Sequence, residues 1–340
     1  MLNEDQYLKI KRNWDRLAKP LDALGYFEDT LSRMGAILMD EKIEISPAVL
    51  AVLIADNGII NEGVSQSDHK VTTSVAKALG RRNSSVCHMA RQAGVEVYPY
   101  NVGMKEEISV VDNRYFITQG TKNFCVEPAM SDEETKKAIG NGRQIARELS
   151  AKGFRTILLG EMGIGNTTTS TAVIASIMKL SAEKLCGRGS GLSNEAFSRK
   201  IKVIDDAIDK YGLYEADMLK ILSTVGGLDI AVMTGIILEC AVIGIPVILD
   251  GLITAAAALA AVKIDERAKD VVFFSHKGRE KGIATVSDEL GQCPVIDGNM
   301  ALGEGTGAVM YYGCLLNALA LYKGNTSFED IEVEQYKRMT

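Results

Sequence analysis

The sequence predicts an α/β protein built on a parallel sheet, and three observations predict it. Short apolar runs that end in polar or glycine-rich turns recur along the chain, most of them separated by segments of helical periodicity. These runs are continuously apolar rather than alternating, as strands buried on both faces are, and such strands belong to parallel sheets with right-handed crossovers. Both chain ends, in contrast, read as helix, so they are able to pack together as one small helical domain.

In chain order, residues 3–40 place Tyr7, Ile10, Trp14 and Leu17, then Leu21, Leu24, Phe27, Leu31 and Met34, at helical spacing. Pro20 is the expected break between two amphipathic helices lying outside the sheet. Residues 49–55 form the first buried strand, which ends at Asp56-Asn57-Gly58. Further strands are expected at 95–98, 156–159, 245–249, 271–274 and 294–296. Ser131-Asp132-Glu133-Glu134 is a capping box for a helix running to about Lys152 and stopped by Gly153. Ser193 caps another that ends at Gly212. After Gly307 an apolar helix is expected over 308–322, and a charged tail helix over 328–339.

Composition narrows the function. The chain has 340 residues and a formal charge of −6, which argues against a nucleic-acid backbone or an anionic membrane as the main partner. Six cysteines are scattered without a CxxC pair, and the three histidines stand at no metal-ligand spacing, so neither a metal nor another cofactor is expected. The N-terminus has no basic region and no apolar core of the secretory kind, and residues 230–262, the most hydrophobic, are interrupted by Glu239, Pro246 and Asp250. A cytoplasmic protein with a large core is the expectation.

The chemistry concentrates at glycine-rich turns. Gly160-Glu161-Met162-Gly163-Ile164-Gly165-Asn166-Thr167 leaves a strand and enters a helix, which makes an anion site from close-approaching backbone and unpaired N–H groups. The glycines lack the third member of a dinucleotide fingerprint, and no GK[ST] follows, which disfavours a dinucleotide-dependent oxidoreductase. A second cluster, Gly187-Arg188-Gly189-Ser190-Gly191, precedes the helix that carries Lys200. Together these elements suit one phosphate; read alone, they suit two ordinary surface turns equally well. A third cluster, Leu302-Gly303-Glu304-Gly305-Thr306-Gly307-Ala308, again cages a glutamate before an apolar helix. Two such carboxylates beside a phosphate cradle fit a ribose 5-phosphate whose far end develops positive charge.

With Asp250-Gly251-Leu252-Ile253-Thr254, Asn61-Glu62-Gly63-Val64-Ser65, Gly120-Thr121-Lys122-Asn123 and Glu127-Pro128-Ala129-Met130, these motifs resemble those of the nicotinate-nucleotide:dimethylbenzimidazole phosphoribosyltransferases, in consistent order over nearly the whole chain. The resemblance implies a Rossmann-like large domain at 41–306 and a small helical domain from 1–40 plus 307–340. It implies transfer of the 5-phosphoribosyl group of nicotinate mononucleotide to a cobamide lower-ligand base, with inversion and release of nicotinate. It assigns Glu304 as general base, Glu161 to the ribose side, and Gly163, Asn166, Thr167, Gly189 and Lys200 to the phosphate. Ser67 and Val75 fall on the acceptor side and Ser275 on the nicotinate side. A homodimer, or a heterodimer with a homologous subunit, is implied.

The departures from the family pattern are Val75 in place of a usual Gln, Asn57 in place of a His, Arg82-Asn83-Ser84-Ser85 in place of a more glycine-rich turn, and the segment from Lys277 to Glu280. The first favours a more apolar acceptor and leaves room for a phenol. As a set they also admit a non-catalytic or regulatory subunit, against which the retention of both glutamates counts.

Overall fold

The computed structural model describes residues 2–189, 191–324 and 326–338. Ser190 of the second glycine cluster and Met339 of the expected tail helix lie outside the described residues. Among those described, the centre is a five-stranded parallel sheet of β1 Ala48–Ala55, β2 Val95–Gly103, β3 Thr156–Met162, β4 Val247–Leu249 and β5 Val272–Phe274. Its order is β2-β1-β3-β4-β5. A second sheet pairs β6 His276–Gly278 with β7 Ile296–Met300.

The helices, in chain order, are α1 Glu4–Asp15, α2 Tyr26–Ile37, α3 His69–Gly80, α4 Ser85–Gln92, α5 Asp132–Ala151, α6 Asn166–Met178 and the short α7 Ala182–Leu185. They continue as α8 Asn194–Tyr211, α9 Met218–Val225, α10 Leu228–Ile243, α11 Leu252–Ile264, the short α12 Ala268–Val271, α13 Gly282–Glu289 and α14 Thr306–Gly324. Local chemistry accounts for their ends. Ser131 and Glu134 exchange hydrogen bonds in a complete capping box at α5. Ser193 accepts from Ala196 at the start of α8, and Gly212 closes that helix in the left-handed region.

Strand period explains the layering. Val49, Ala51, Leu53 and Ala55 of β1 enter one apolar cluster, shared with α5, α6, α10 and α11. Ala48, Leu50, Val52 and Ile54 enter the other, shared with α1, α2, α4 and α14. Successive strand residues point to opposite faces, so an unbroken apolar run is what a sheet covered on both sides requires. The edge strand β2 is where Pro99 is tolerated.

The two chain ends pack against each other. Trp14 and Tyr322 bring their rings to 4.7 Å, Thr30 and Tyr311 share a hydrogen bond of 2.8 Å, and Leu17 bridges Ser327. Two expectations are corrected. The charged tail is not a helix in the described residues: a single 3-10 turn, Glu329–Ile331, ends at Glu332 with φ +56°, and irregular chain follows. Val333 and Tyr336 stay about half exposed, so the segment has no apolar stripe to bury against the body, which is what stabilises a surface helix. Arg338 instead fastens it to Asp15 and Asp22. The strand expected at 294–296 begins at Ile296 and pairs with β6, outside the main sheet; its Asp-Gly-Asn centre is exposed and unsuited to a buried strand. None of the described helices is long and apolar enough to cross a membrane.

Candidate active site

The strand order reverses between β1 and β3, and a crevice opens beyond their carboxyl ends, the place where open α/β sheets bind ligands. A cavity of about 230 Å³ lies there. Its wall brings together the three glycine clusters: Glu161 to Thr167, Arg188 and Gly189, and Ala301 to Gly303, with Asp250 and His276 between them. The close approach is enforced by glycine. A Cβ on Gly160 would stand 2.5 Å from the Glu304 carbonyl oxygen, and one on Gly303 would stand 2.9 Å from Glu161 Oε1. Strand β3 and the 303–305 loop therefore touch backbone to backbone.

One end of the cavity gathers the groups that can receive an anion. Gly165 begins α6 at φ +94° with no side chain capping the helix, and Gly189, at φ +52°, lies across from Thr167. Lys200 Nζ donates to Thr167 Oγ1 at 3.0 Å. Its side chain is wholly buried, and that burial lowers its pKa, since a desolvated ammonium favours its neutral form unless an anion arrives.

The other end gathers buried carboxyl groups. Burial above all, opposed by a lowering hydrogen bond from Asn166 and helped by the nearby charges of Asp229, Asp250 and Glu304, raises the Glu161 carboxyl to about 8. Asn166 Nδ2 donates to both Glu161 Oε2 and Asp229 Oδ2, so one amide ties two buried carboxyls together. Asp229, fully enclosed at the start of α10, is raised by its burial to about 6. Asp250 accepts from the backbone N–H groups of Gly305 (3.1 Å), Gly307 (2.7 Å) and Ala308 (3.3 Å), capping α14 and holding the third glycine loop. Among the described residues, no group of three or more His, Cys, Asp or Glu side chains is placed to hold a metal.

The expected site residues divide in position. Glu161, Gly163, Asn166, Thr167 and Gly189 line the cavity, and Lys200 stands behind Thr167. Glu304 lies beside the wall with its side chain turned toward α4, where Oε2 accepts from Val86 N at 3.3 Å. Its backbone has φ +59°, an uncommon conformation for a residue with a Cβ and one that the flanking glycines make room for. Ser275 is buried behind the cavity; its hydroxyl donates to the Asp250 carbonyl and pairs with His276 Nδ1, and His276 is the residue that reaches the lining. Ser67 and Val75, before and within α3, are half-buried and outside this cavity, Val75 against the same apolar cluster as α4. Asn57 packs beneath the glycine turn, its Nδ2 donating to the Ile164 carbonyl at 3.4 Å.

Reading by motif missed Asp229 and gave Asp250 and His276 no role. Asp229 follows Gly226-Gly227 at a helix start, the pattern that singled out the other loops, so that signal was available.

Comparison with known proteins identifies the family and the overall fold. A family model described as phosphoribosyltransferase matches residues 1–333. A nicotinate-nucleotide-dimethylbenzimidazole phosphoribosyltransferase of Clostridium perfringens is 35% identical over 335 residues, spanning 98% of this chain and 92% of the relative. The Acetivibrio thermocellus protein of the same name is 35% identical over 331 residues, 96% of this chain and 94% of the relative. The crystal structure of CobT from Thermus thermophilus superposes with a TM-score of 0.91 at 32% identity, covering 98% of this chain and all of that one. This chain belongs to the phosphoribosyltransferase family that includes the nicotinate-nucleotide-dimethylbenzimidazole enzymes.

Proposed function

We propose that the protein transfers the 5-phosphoribosyl group of nicotinate mononucleotide to dimethylbenzimidazole, giving an α-riboside 5-phosphate and nicotinate. One observation carries this reading: an anion cradle and a cluster of carboxylates meet at one cavity, with Lys200 at one end and Glu161 at the other. A nucleotide with a phosphate at C5′ and a pyridinium at C1′ has the matching polarity. The names of the relatives support the choice of donor and acceptor.

In this reading Lys200, Thr167, Gly163 and the Gly189 backbone hold the phosphate, while Glu161, positioned by Asn166, faces the ribose. As a ring nitrogen of the acceptor attacks C1′, the bond to nicotinate breaks and its electron pair returns to the pyridine nitrogen, so the departing ring needs no proton. Positive charge grows on the ribose, and the Glu161 carboxylate stabilises it. The acceptor's N–H proton passes to Glu304, which faces the α3 and α4 side where Ser67 and Val75 lie. Ser275 acts on the nicotinate side through His276. We place the catalytic body at 41–306, the small helical domain at the two chain ends, and the enzyme in the cytoplasm as a dimer with itself or a homologous subunit.

The test is nicotinate release by the purified chain from nicotinate mononucleotide, with dimethylbenzimidazole or phenol as acceptor. Acceptor-dependent release is expected, with dimethylbenzimidazole preferred. Release with phenol alone overturns the acceptor assignment. No release with either, while a co-purified homologue turns over, replaces the catalytic reading by the regulatory-subunit one.

A further inference from the structure

A side chain of this chain reaches into the anion cradle. Glu280, in the bend between β6 and α13, accepts from the Gly189 backbone N–H at 3.0 Å through Oε1. Its carboxyl lies directly over Gly187, where any Cβ would collide with it. Its other oxygen, Oε2, is buried with no hydrogen-bond partner among the described residues. Lys200 is wholly buried, and the carboxylate whose charge reaches it is Glu280's. Glu280 also lines the same cavity as Thr167 and Gly189.

We propose that Glu280 is a resident stand-in for the substrate phosphate, which must be displaced from the cradle before the nucleotide seats and which thereby reserves the site for a dianionic phosphoryl group. The inference rests on the phosphoribosyl reading above. A buried ammonium without a counter-charge is costly, so the cradle needs an anion even when empty of ligand. A carboxylate fills it imperfectly: one charge, one N–H bond, and one oxygen left unpaired. A phosphate carries about −1.5 to −2 charges and three acceptor oxygens, so it outcompetes the carboxylate for the Gly189 N–H and brings a stronger counter-charge toward Lys200. An unphosphorylated riboside offers nothing in exchange and leaves Glu280 in place. The exchange costs part of the phosphate's binding free energy, so Glu280 lowers affinity while it raises selectivity and stabilises the ligand-free protein.

The experiment titrates inorganic phosphate into the full chain by calorimetry for the native protein, Glu280→Gln, Glu280→Asp and Lys200→Met, with melting curves with and without phosphate. Glu280→Gln should bind phosphate about tenfold more tightly, and Glu280→Asp, too short to reach Gly189, should fall between the two. Glu280→Gln should melt lower without phosphate and gain more from its addition, and its KM for nicotinate mononucleotide should fall. Unchanged or weaker phosphate binding by both Glu280 variants overturns the proposal; if Glu280→Gln does not fold, the Asp variant decides. Lys200→Met separates the two levels. If it loses phosphate and nucleotide affinity while the Glu280 variants gain none, only the role of Glu280 fails. If it binds both as the native protein does, the cradle is not the phosphate site and both readings fall.

Discussion

Replacing Glu161 by Gln should stabilise the ligand-free protein, and by an amount that grows with pH. In the folded chain burial raises this carboxyl from 4.5 to about 8. Between those two values the folded state holds a proton that the unfolded state has released, so stability falls as pH climbs through that window. Integrated over the window, native Glu161 costs at most about 3 kcal/mol at pH 7, about 4–5 kcal/mol at pH 9, and under about 1 kcal/mol at pH 5. Glutamine is neutral throughout and keeps an oxygen for the Asn166 amide, so the variant escapes the cost without losing the hydrogen bond. Urea unfolding at pH 5, 7 and 9 reads the difference directly. A variant that gains the same stability at all three, or loses it at pH 9, refutes the idea that Glu161 is a buried carboxyl held protonated. The same variant should lose most of its turnover, because the neutral amide cannot stabilise a cationic ribose.

Three further outcomes follow from the same geometry. A pyridinium nucleotide favours ionised Glu161, so binding at pH 7 should release up to about one proton, seen as a dependence of the calorimetric heat on buffer ionisation enthalpy. Glu304→Gln should lower kcat by about 10²- to 10⁴-fold with nucleotide KM nearly unchanged; a parallel loss of nucleotide binding would mark its bond to Val86 N as structural. Asp250→Asn leaves one acceptor oxygen for the N–H groups of Gly305, Gly307 and Ala308, so thermal unfolding should show a loss of about 1–3 kcal/mol. Because that loop carries Glu304, kcat should fall with it, and a destabilised variant of full kcat would detach the loop from catalysis.

Much of this protein was legible in the chain because its signals are local. Unbroken apolar runs mark β1 and β3, a capping box marks α5, and Gly212 marks the end of α8; each depends on residues a few positions apart. The glycine clusters were visible for the same reason, since the chain needs glycine wherever backbones meet, as at Gly160 and Gly303. Resemblance to a family supplied roles for Glu161 and Glu304 that spacing could not. What tertiary structure decided is the electrostatics. Asn166, bound also to Glu161, meets Asp229 across a gap of 63 residues in sequence, Asp250 reaches a loop 55 residues on, and Glu280 meets Gly189 from 91 residues away. A carboxylate's charge depends on which neighbours desolvate it and which donors reach it, and those neighbours are assembled only when the sheet closes. The charged tail failed for the complementary reason: its local pattern suited a helix, but it has no apolar stripe to bury, whereas β7 forms, with Ile296 against the core, and pairs with β6 outside the main sheet.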